Sequence, residues 1–259
     1  MEIFSLNKMT LFLRYFYTSV CLILLLSALC YCQQNFSSRA SYYRTNDEMG
    51  TTNGACGYGE YGRTTNDGQV CAVSTRLFKN GAGCGACYQV RCKSSGLCSE
   101  VGEKVMATDY VEGQETDFIL SYRAYTGLAK QPRMAEFLRE KGAVDVEFRR
   151  VSCNSAAKLR VKIHDNSQYP HYLSILLTNQ GGATDIFAVE IYEEETYEWI
   201  SMRRAFGAVW DLANPPSGEL KARFLVSSSA AAKWVESEKA IIPAEWKAGL
   251  TIETNIKLN

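Results

Sequence analysis

The chain has 259 residues, enough for one large domain or two of ordinary size. Its 28 basic and 28 acidic residues balance to a formal charge of +0, with no basic stripe or polybasic tail, which argues against nucleic acid as a partner. No segment beyond residue 32 is long and apolar enough to span a bilayer.

The first predicted element is a targeting segment. Lys8 and Arg14 precede "VCLILLLSALCYC" (Val20 to Cys32), a short apolar run that ends in small residues and gives way at once to polar sequence. That is the pattern of a signal peptide over residues 1–32, with cleavage expected near Cys32; an uncleaved anchor is the plainer alternative. A secreted, extracellular protein without a membrane contact after cleavage is expected. Asn35 opens the glycosylation sequon "NFS".

Secretion decides how the cysteines are read. Cys56, Cys71, Cys84, Cys87, Cys92, Cys98 and Cys153 follow the signal, and none follows Cys153. "CGAC" (Cys84 to Cys87) suits zinc or redox chemistry on spacing alone. An oxidising compartment favours disulfides, and neither His164 nor His171 falls in the cluster, so no metal and no cofactor are expected. Each bridge contributes roughly 2–4 kcal/mol. The odd number leaves one thiol free, paired between chains, or paired with Cys32 if cleavage is earlier.

The first half is glycine-rich: "NGACGYGEYGR", "KNGAGCGACYQVRC", "GEKVMATDY". Strand-like runs such as "YQVRC" and "VEFRRV" alternate with glycine turns, as in a small stapled β-barrel. "YRAYTGLAKQ" and "PRMAEFLREKG" predict short helices, with Pro132 in a first turn and Gly142 just past an end. After "NSAAK" the style changes, and a boundary is expected near Ala157. "LRVKI", "YLSILLTNQ", "DIFAVEIYE", "EWISMRR", "GAVWDL" and "KARFLVSSS" then read as successive strands of an antiparallel sandwich. "EIYEEETYE" is a solvated hairpin tip. Two carboxylates in "ATDYVEGQETDFILS", Asp109 and Asp117, sit where an acid/base pair is conceivable.

"NGACGYG" (Asn53 to Gly59), "GCGACYQVRC" (Gly83 to Cys92), "ATDY" (Ala107 to Tyr110), "FRRVSC" (Phe148 to Cys153), "GAVWDL" (Gly207 to Leu212) and "IIPAEWKAG" (Ile241 to Gly249) occur in order over nearly the whole chain. In these motifs the sequence resembles a plant expansin, most closely the expansin-like B branch. The resemblance implies a mainly all-β protein. Residues 33–155 would form a double-psi β-barrel related to family-45 endoglucanases, and residues 156–259 an immunoglobulin-like carbohydrate-binding β-sandwich. It also implies the bridges Cys56–Cys84, Cys87–Cys153 and Cys92–Cys98, with Cys71 as the spare.

The same resemblance places a polysaccharide groove on the barrel. Ser41, Tyr42 and Tyr43 align with a Thr-aromatic-Tyr motif, and Arg44 replaces a glycine. Asp109 matches the first family aspartate; its plain alternative is a carboxylate that stabilises a turn. Where the family has His-Phe-Asp, this chain has Asp117, Phe118 and Ile119. Inverting glycoside hydrolysis needs an acid and a base about 6.5–9.5 Å apart. With Asp109 in one role and Ile119 at the other position, no catalytic pair and no hydrolase are expected. Trp210 aligns with a sugar-stacking tryptophan, and a second family aromatic is Asn179 here. Trp199 is expected in the core; Trp234 and Trp246 are open. The implied function is a secreted cell-wall protein, a monomer, that binds cellulose, xyloglucan or another hemicellulose and loosens their contacts without cutting. A weak endoglucanase and a lectin-like binder are the alternatives.

Overall fold

Side chains that alternate between two faces of short strands set the architecture. The computed structural model describes residues 14–20, 35–45, 49–112, 116–153, 156–227 and 231–258. Residues 14–20 form a short exposed helix. The apolar run from Cys21 and the cleavage position expected near Cys32 lie outside the described residues. No described helix is long and apolar enough to cross a membrane.

Six strands build the first half: β1 (Phe36–Tyr42), β2 (Val70–Val73), β3 (Cys87–Cys92), β4 (Glu103–Tyr110), β5 (Phe118–Leu120) and β6 (Val144–Val151). They close a barrel in the order β1-β5-β2-β4-β3-β6. The β1/β5 and β2/β4 pairs are parallel and the others antiparallel. This is the expected double-psi barrel. Inward residues fill it, with Tyr88, Phe118 and Phe148 meeting edge to face at centroid distances of 4.9 to 5.8 Å. Short helices α1 (Tyr61–Thr64), α2 (Thr75–Phe78), α3 (Tyr122–Gly127) and α4 (Ala135–Lys141) flank it. Ser121 caps α3 by accepting from the Ala124 amide. Pro132 opens the 3-10 turn before α4, and Gly142, with φ +70, ends α4. Both predicted helices therefore exist, the first of them shorter than its sequence run.

The second half is a sandwich of β7 (Arg160–Ile163), β8 (Tyr172–Thr178), β9 (Asp185–Glu193), β10 (Glu198–Ser201), β11 (Arg203–Phe206), β12 (Val209–Ala213), β13 (Ala222–Ser227), β14 (Ala232–Glu236) and β15 (Thr251–Glu253). A four-stranded sheet runs β10-β9-β13-β14, and a five-stranded sheet runs β11-β12-β8-β7-β15. "EWISMRR", expected as one strand, is two. Met202 drops into the core between β10 and β11, and the chain changes sheets there. The acidic hairpin tip is as expected: Glu198 pairs with Glu193, and Tyr197 takes φ +60 in the turn.

Barrel and sandwich share an apolar junction of Cys56, Tyr58, Cys84, Leu176, Ala208 and Val209. Leu176 and Val209 register with each other on the outer face of the five-stranded sheet, so that face is turned to the barrel. Polar links fix the angle. Asp185 pairs with Lys79 at 2.6 Å and Arg150 at 2.7 Å, and Gln180 donates to the Tyr58 hydroxyl at 3.1 Å. The three disulfides Cys56–Cys84, Cys87–Cys153 and Cys92–Cys98 all belong to the barrel half.

Candidate functional site

One cross-strand row organises the barrel's outer face. Asp109 on β4 registers with Ala72 on β2, Ala72 with Ile119 on β5, and Ile119 with Ser41 on β1. Residues opposite each other in a sheet share a face. Asp109 and Ile119 are therefore neighbours across Ala72, two strand spacings apart, which is roughly 9–10 Å between Cα atoms. That is the scale on which an inverting pair works. A register shift between Cys71 and Ala72 makes Thr108 the extra residue of a bulge, and the bulge sets where Asp109 points.

Asp109 is held by two backbone amides. Its Oδ1 accepts from the Ala55 amide at 2.7 Å and the Tyr110 amide at 2.8 Å. The Tyr43 phenol lies near enough to feel the same carboxylate. Gly54 makes the first contact possible: a Cβ there would sit 2.9 Å from the Thr108 carbonyl and 3.3 Å from Asp109 Cγ. The "NGACGYG" motif thus brings a loop amide onto the groove carboxylate. Burial, and then the Asp109 charge, push the Tyr43 phenol well above its ordinary pKa, so it stays a neutral donor. Asp109 is the turn-stabilising carboxylate of the plain reading, half-buried on the barrel's outer face.

The other residues expected in the groove divide by strand alternation. Ser41 lies in the row but donates its hydroxyl to the Gly142 carbonyl at 2.7 Å. Tyr42 faces the other way, a correction to its expected place in the groove: its ring packs on Tyr125 at 4.8 Å and against the barrel core. Adjacent strand residues cannot both face one side. Arg44 is exposed and lies over Tyr42, 6.0 Å from its ring centre.

Asp117 is a strut. Arg76 donates to both of its oxygens, Nε to Oδ1 at 2.7 Å, and Ser74 and Ser38 donate one bond each. Burial raises its pKa, but the bonds from Arg76, Ser38 and Ser74 outweigh that and hold it below its ordinary value. A carboxylate so satisfied, 8% exposed, makes a poor proton acceptor.

Among the described residues Cys71 is the free cysteine, wholly buried in the barrel core beneath this row, with its thiol directed at the Met106 carbonyl at 3.5 Å. Burial, then the Asp109 charge, push its pKa up, so it is inert. Thiol reagent should leave Cys71 unmodified in the native protein and label it alone among Cys56 to Cys153 in denaturant. Peptide mapping without reduction checks this; label on Cys92 or Cys98 would contradict the pairing.

Trp210 is corrected from platform to core. It is 3% exposed, registers with Ile175 inside the sandwich, and lies under the Arg204 guanidinium at 4.1 Å. Burial lowers the Arg204 pKa to about 10. The exposed ring is Phe206, four residues earlier and 47% exposed. A bulge between Arg204 and Phe206 turns it to the barrel side, where its ring lies against Gly57; a Cβ there would meet it at 2.7 Å. "AFGAVW" offered both aromatics, and the bulge decided between them. Asn179, where the family has an aromatic, takes φ +56 and accepts from the Tyr61 hydroxyl at 2.9 Å. Trp246 is core, and Trp199 is half-buried on an outer sheet face. Asn35 is exposed. Among the described residues no group of acidic, histidine or cysteine side chains is placed to hold a metal ion.

Two family profiles match the chain: the Expansin C-terminal domain over residues 159–243 and the Lytic transglycolase profile over residues 70–148. Expansin-like B1 of Arabidopsis thaliana is 51% identical over 237 residues, 91% of this chain and 94% of the relative. Expansin-like B1 of Oryza sativa subsp. japonica is 42% identical, covering 86% of this chain and 89% of the relative. The crystal structure of the apo Clavibacter michiganensis expansin superposes with a TM-score of 0.65 over 87% of this chain and 98% of its own, at 17% identity, a likeness of fold. A mutant of that expansin in complex with cellohexaose superposes with a TM-score of 0.64 at 18% identity.

Proposed function

The chain belongs to the expansin family, in its expansin-like B branch, and from that premise we propose that it is a secreted cell-wall protein that binds β-glucan and loosens cellulose–hemicellulose contacts without hydrolysis. The observation that carries this reading is the row Asp109–Ala72–Ile119–Ser41. Its groove keeps a hydrogen-bonded carboxylate and a neutral phenol, Asp109 and Tyr43, both suited to sugar hydroxyls. The second carboxylate position is Ile119, which neither donates nor accepts a proton, and Asp117 is already fully paired. An acid without a base polarises a glycosidic bond but activates no water. Phe206 beside the junction extends the same surface with a ring face.

In this reading residues 1–32 are a removed signal peptide, residues 33–155 supply the groove and residues 156–259 the sandwich. Asn35 is glycosylated, and the protein works as a monomer. The cellohexaose bound by the Clavibacter michiganensis protein supports the ligand class. The test is creep of an acid-buffered wall strip alongside reducing-sugar release from soluble β-glucans. The protein should increase creep and release no sugar at any pH, and Asp109→Asn should reduce creep several-fold with the fold intact. Sustained sugar release that disappears in Asp117→Asn would make the protein an enzyme. Binding without creep would make it a lectin-like wall protein.

A further inference from the structure

The four-stranded sheet buries one face and leaves the other to solvent. Val189, Ile191, Ala222, Phe224 and Val226 point inward and are at most 2% exposed. Tyr192, Trp199, Arg223 and Trp234 alternate with them and lie outward, placed there by the registers Trp199↔Tyr192, Arg223↔Glu190, Arg223↔Glu236 and Leu225↔Trp234. The Arg223 guanidinium sits 4.4 Å from the Trp199 ring centre and 4.5 Å from that of Trp234. Its Nε donates to Glu190 at 2.6 Å. Tyr192 continues the array, 5.1 Å from Trp199, with Lys221 Nζ 5.8 Å from its ring.

A clamp that ties edge strands to the sheet explains Trp199, enclosed between Tyr192 and Arg223. The same clamp engages Trp234 through Arg223 but does not enclose it, and Trp234 leaves 41% of its surface in water on the edge strand β14. Beside Trp234 the Arg223 cation is matched by Glu190 and Glu236, and beyond Lys221 the β9–β10 tip adds Glu193, Glu194, Glu195 and Glu198. Such a face has no excess positive charge with which to hold an acidic polymer. Ring faces beside fixed donors and acceptors match a neutral pyranose chain, whose C–H faces stack while its hydroxyls hydrogen-bond. Arg223 is already held by two rings and a carboxylate, so little side-chain freedom is lost on binding.

We propose that this face is a second binding surface, for a neutral β-glucan chain anchored on Trp234. The inference rests on the reading of the protein as a wall-polysaccharide binder. The five-stranded sheet turns its outer face to the barrel and Phe206, and the four-stranded sheet faces the opposite way. The sandwich then holds two chains at once and bridges them, and both contacts reinforce each other on a fibrous surface.

The experiment uses the whole secreted protein with cellulose microcrystals, soluble xyloglucan and polygalacturonate, reading affinity by pull-down and bridging by flocculation of the microcrystals. Trp234→Ala should bind cellulose or xyloglucan about three- to tenfold more weakly and lose flocculation. A shift of the Trp234 indole N–H resonance in the wild-type protein on addition of cellohexaose gives the same answer without a variant. Wild-type protein that binds neither neutral polymer removes the underlying reading and this one with it. Wild-type binding that Trp234→Ala matches in affinity and flocculation, or an unmoved Trp234 indole at saturating cellohexaose, overturns the second surface alone. Dependence on Trp234 confined to polygalacturonate overturns the neutral ligand.

Discussion

Trp210→Ala should lower the stability of the protein by about 3–5 kcal/mol, the usual loss for a large buried aromatic. The ring is 3% exposed among Ile163, Ile175 and Met202 in the sandwich core. Its removal leaves a cavity and also uncovers one side of Arg204, a half-buried guanidinium that donates to the Gly207 carbonyl at 2.6 Å. Phe206→Ala should behave oppositely, because its ring is half exposed. Its stability should change by no more than about 0.5 kcal/mol, while polysaccharide affinity falls by up to about tenfold. Denaturant unfolding and pull-down on cellulose separate the two variants. A stable Trp210→Ala protein with lost binding would return the stacking role to Trp210.

Arg76→Ala should cost about 1–3 kcal/mol, because it leaves the largely buried Asp117 carboxylate with two serine hydroxyls and no cation, while water reaches the half-exposed arginine side. The folded pKa of Asp117 is depressed, so its contribution is complete above the ordinary carboxylate pKa of about 3.9. It fades as the pH falls below that value towards the lowered folded pKa. Asp117→Asn should therefore be less stable than wild type at neutral pH, and the gap should close in strong acid. Melting temperatures from pH 7 downward, at about one-unit steps, test the sign. A gap that stays constant below about pH 4 would remove Asp117 from the acid response. Creep measured between about pH 4 and pH 7 should keep its shape in Asp117→Asn, since the group stays ionised throughout that range.

These two contrasts mark where single letters carried the information and where contacts did. Cysteine identities, the glycine motif around Gly54, the carboxylate at Asp109 and the apolar residue at Ile119 are local chemistry, and the chain states them directly. Strand runs in the second half were legible because a sheet with one buried face must alternate, as β9 and β13 do. β2 is buried along its whole length, and β5 is three apolar letters whose alternation shows only in burial, so both left little to read.

The sequence by itself determined a stapled β-barrel followed by a β-sandwich, with Asp109 and Ile119 at the two positions the family resemblance singles out. Only the tertiary structure decided the partners. Arg76 and Asp117 are 41 residues apart, and no periodicity joins them. Tyr42 and Tyr43 are adjacent letters, yet the pleat sends one to Tyr125 and the other to Asp109. The bulge before Phe206 shifts the parity of its strand by a residue, and a one-residue shift exchanges the core face for the solvent face. Which of Phe206, Trp210 and Trp234 meets water is therefore a property of register, set by hydrogen bonds to other strands and absent from the letters of the strand itself.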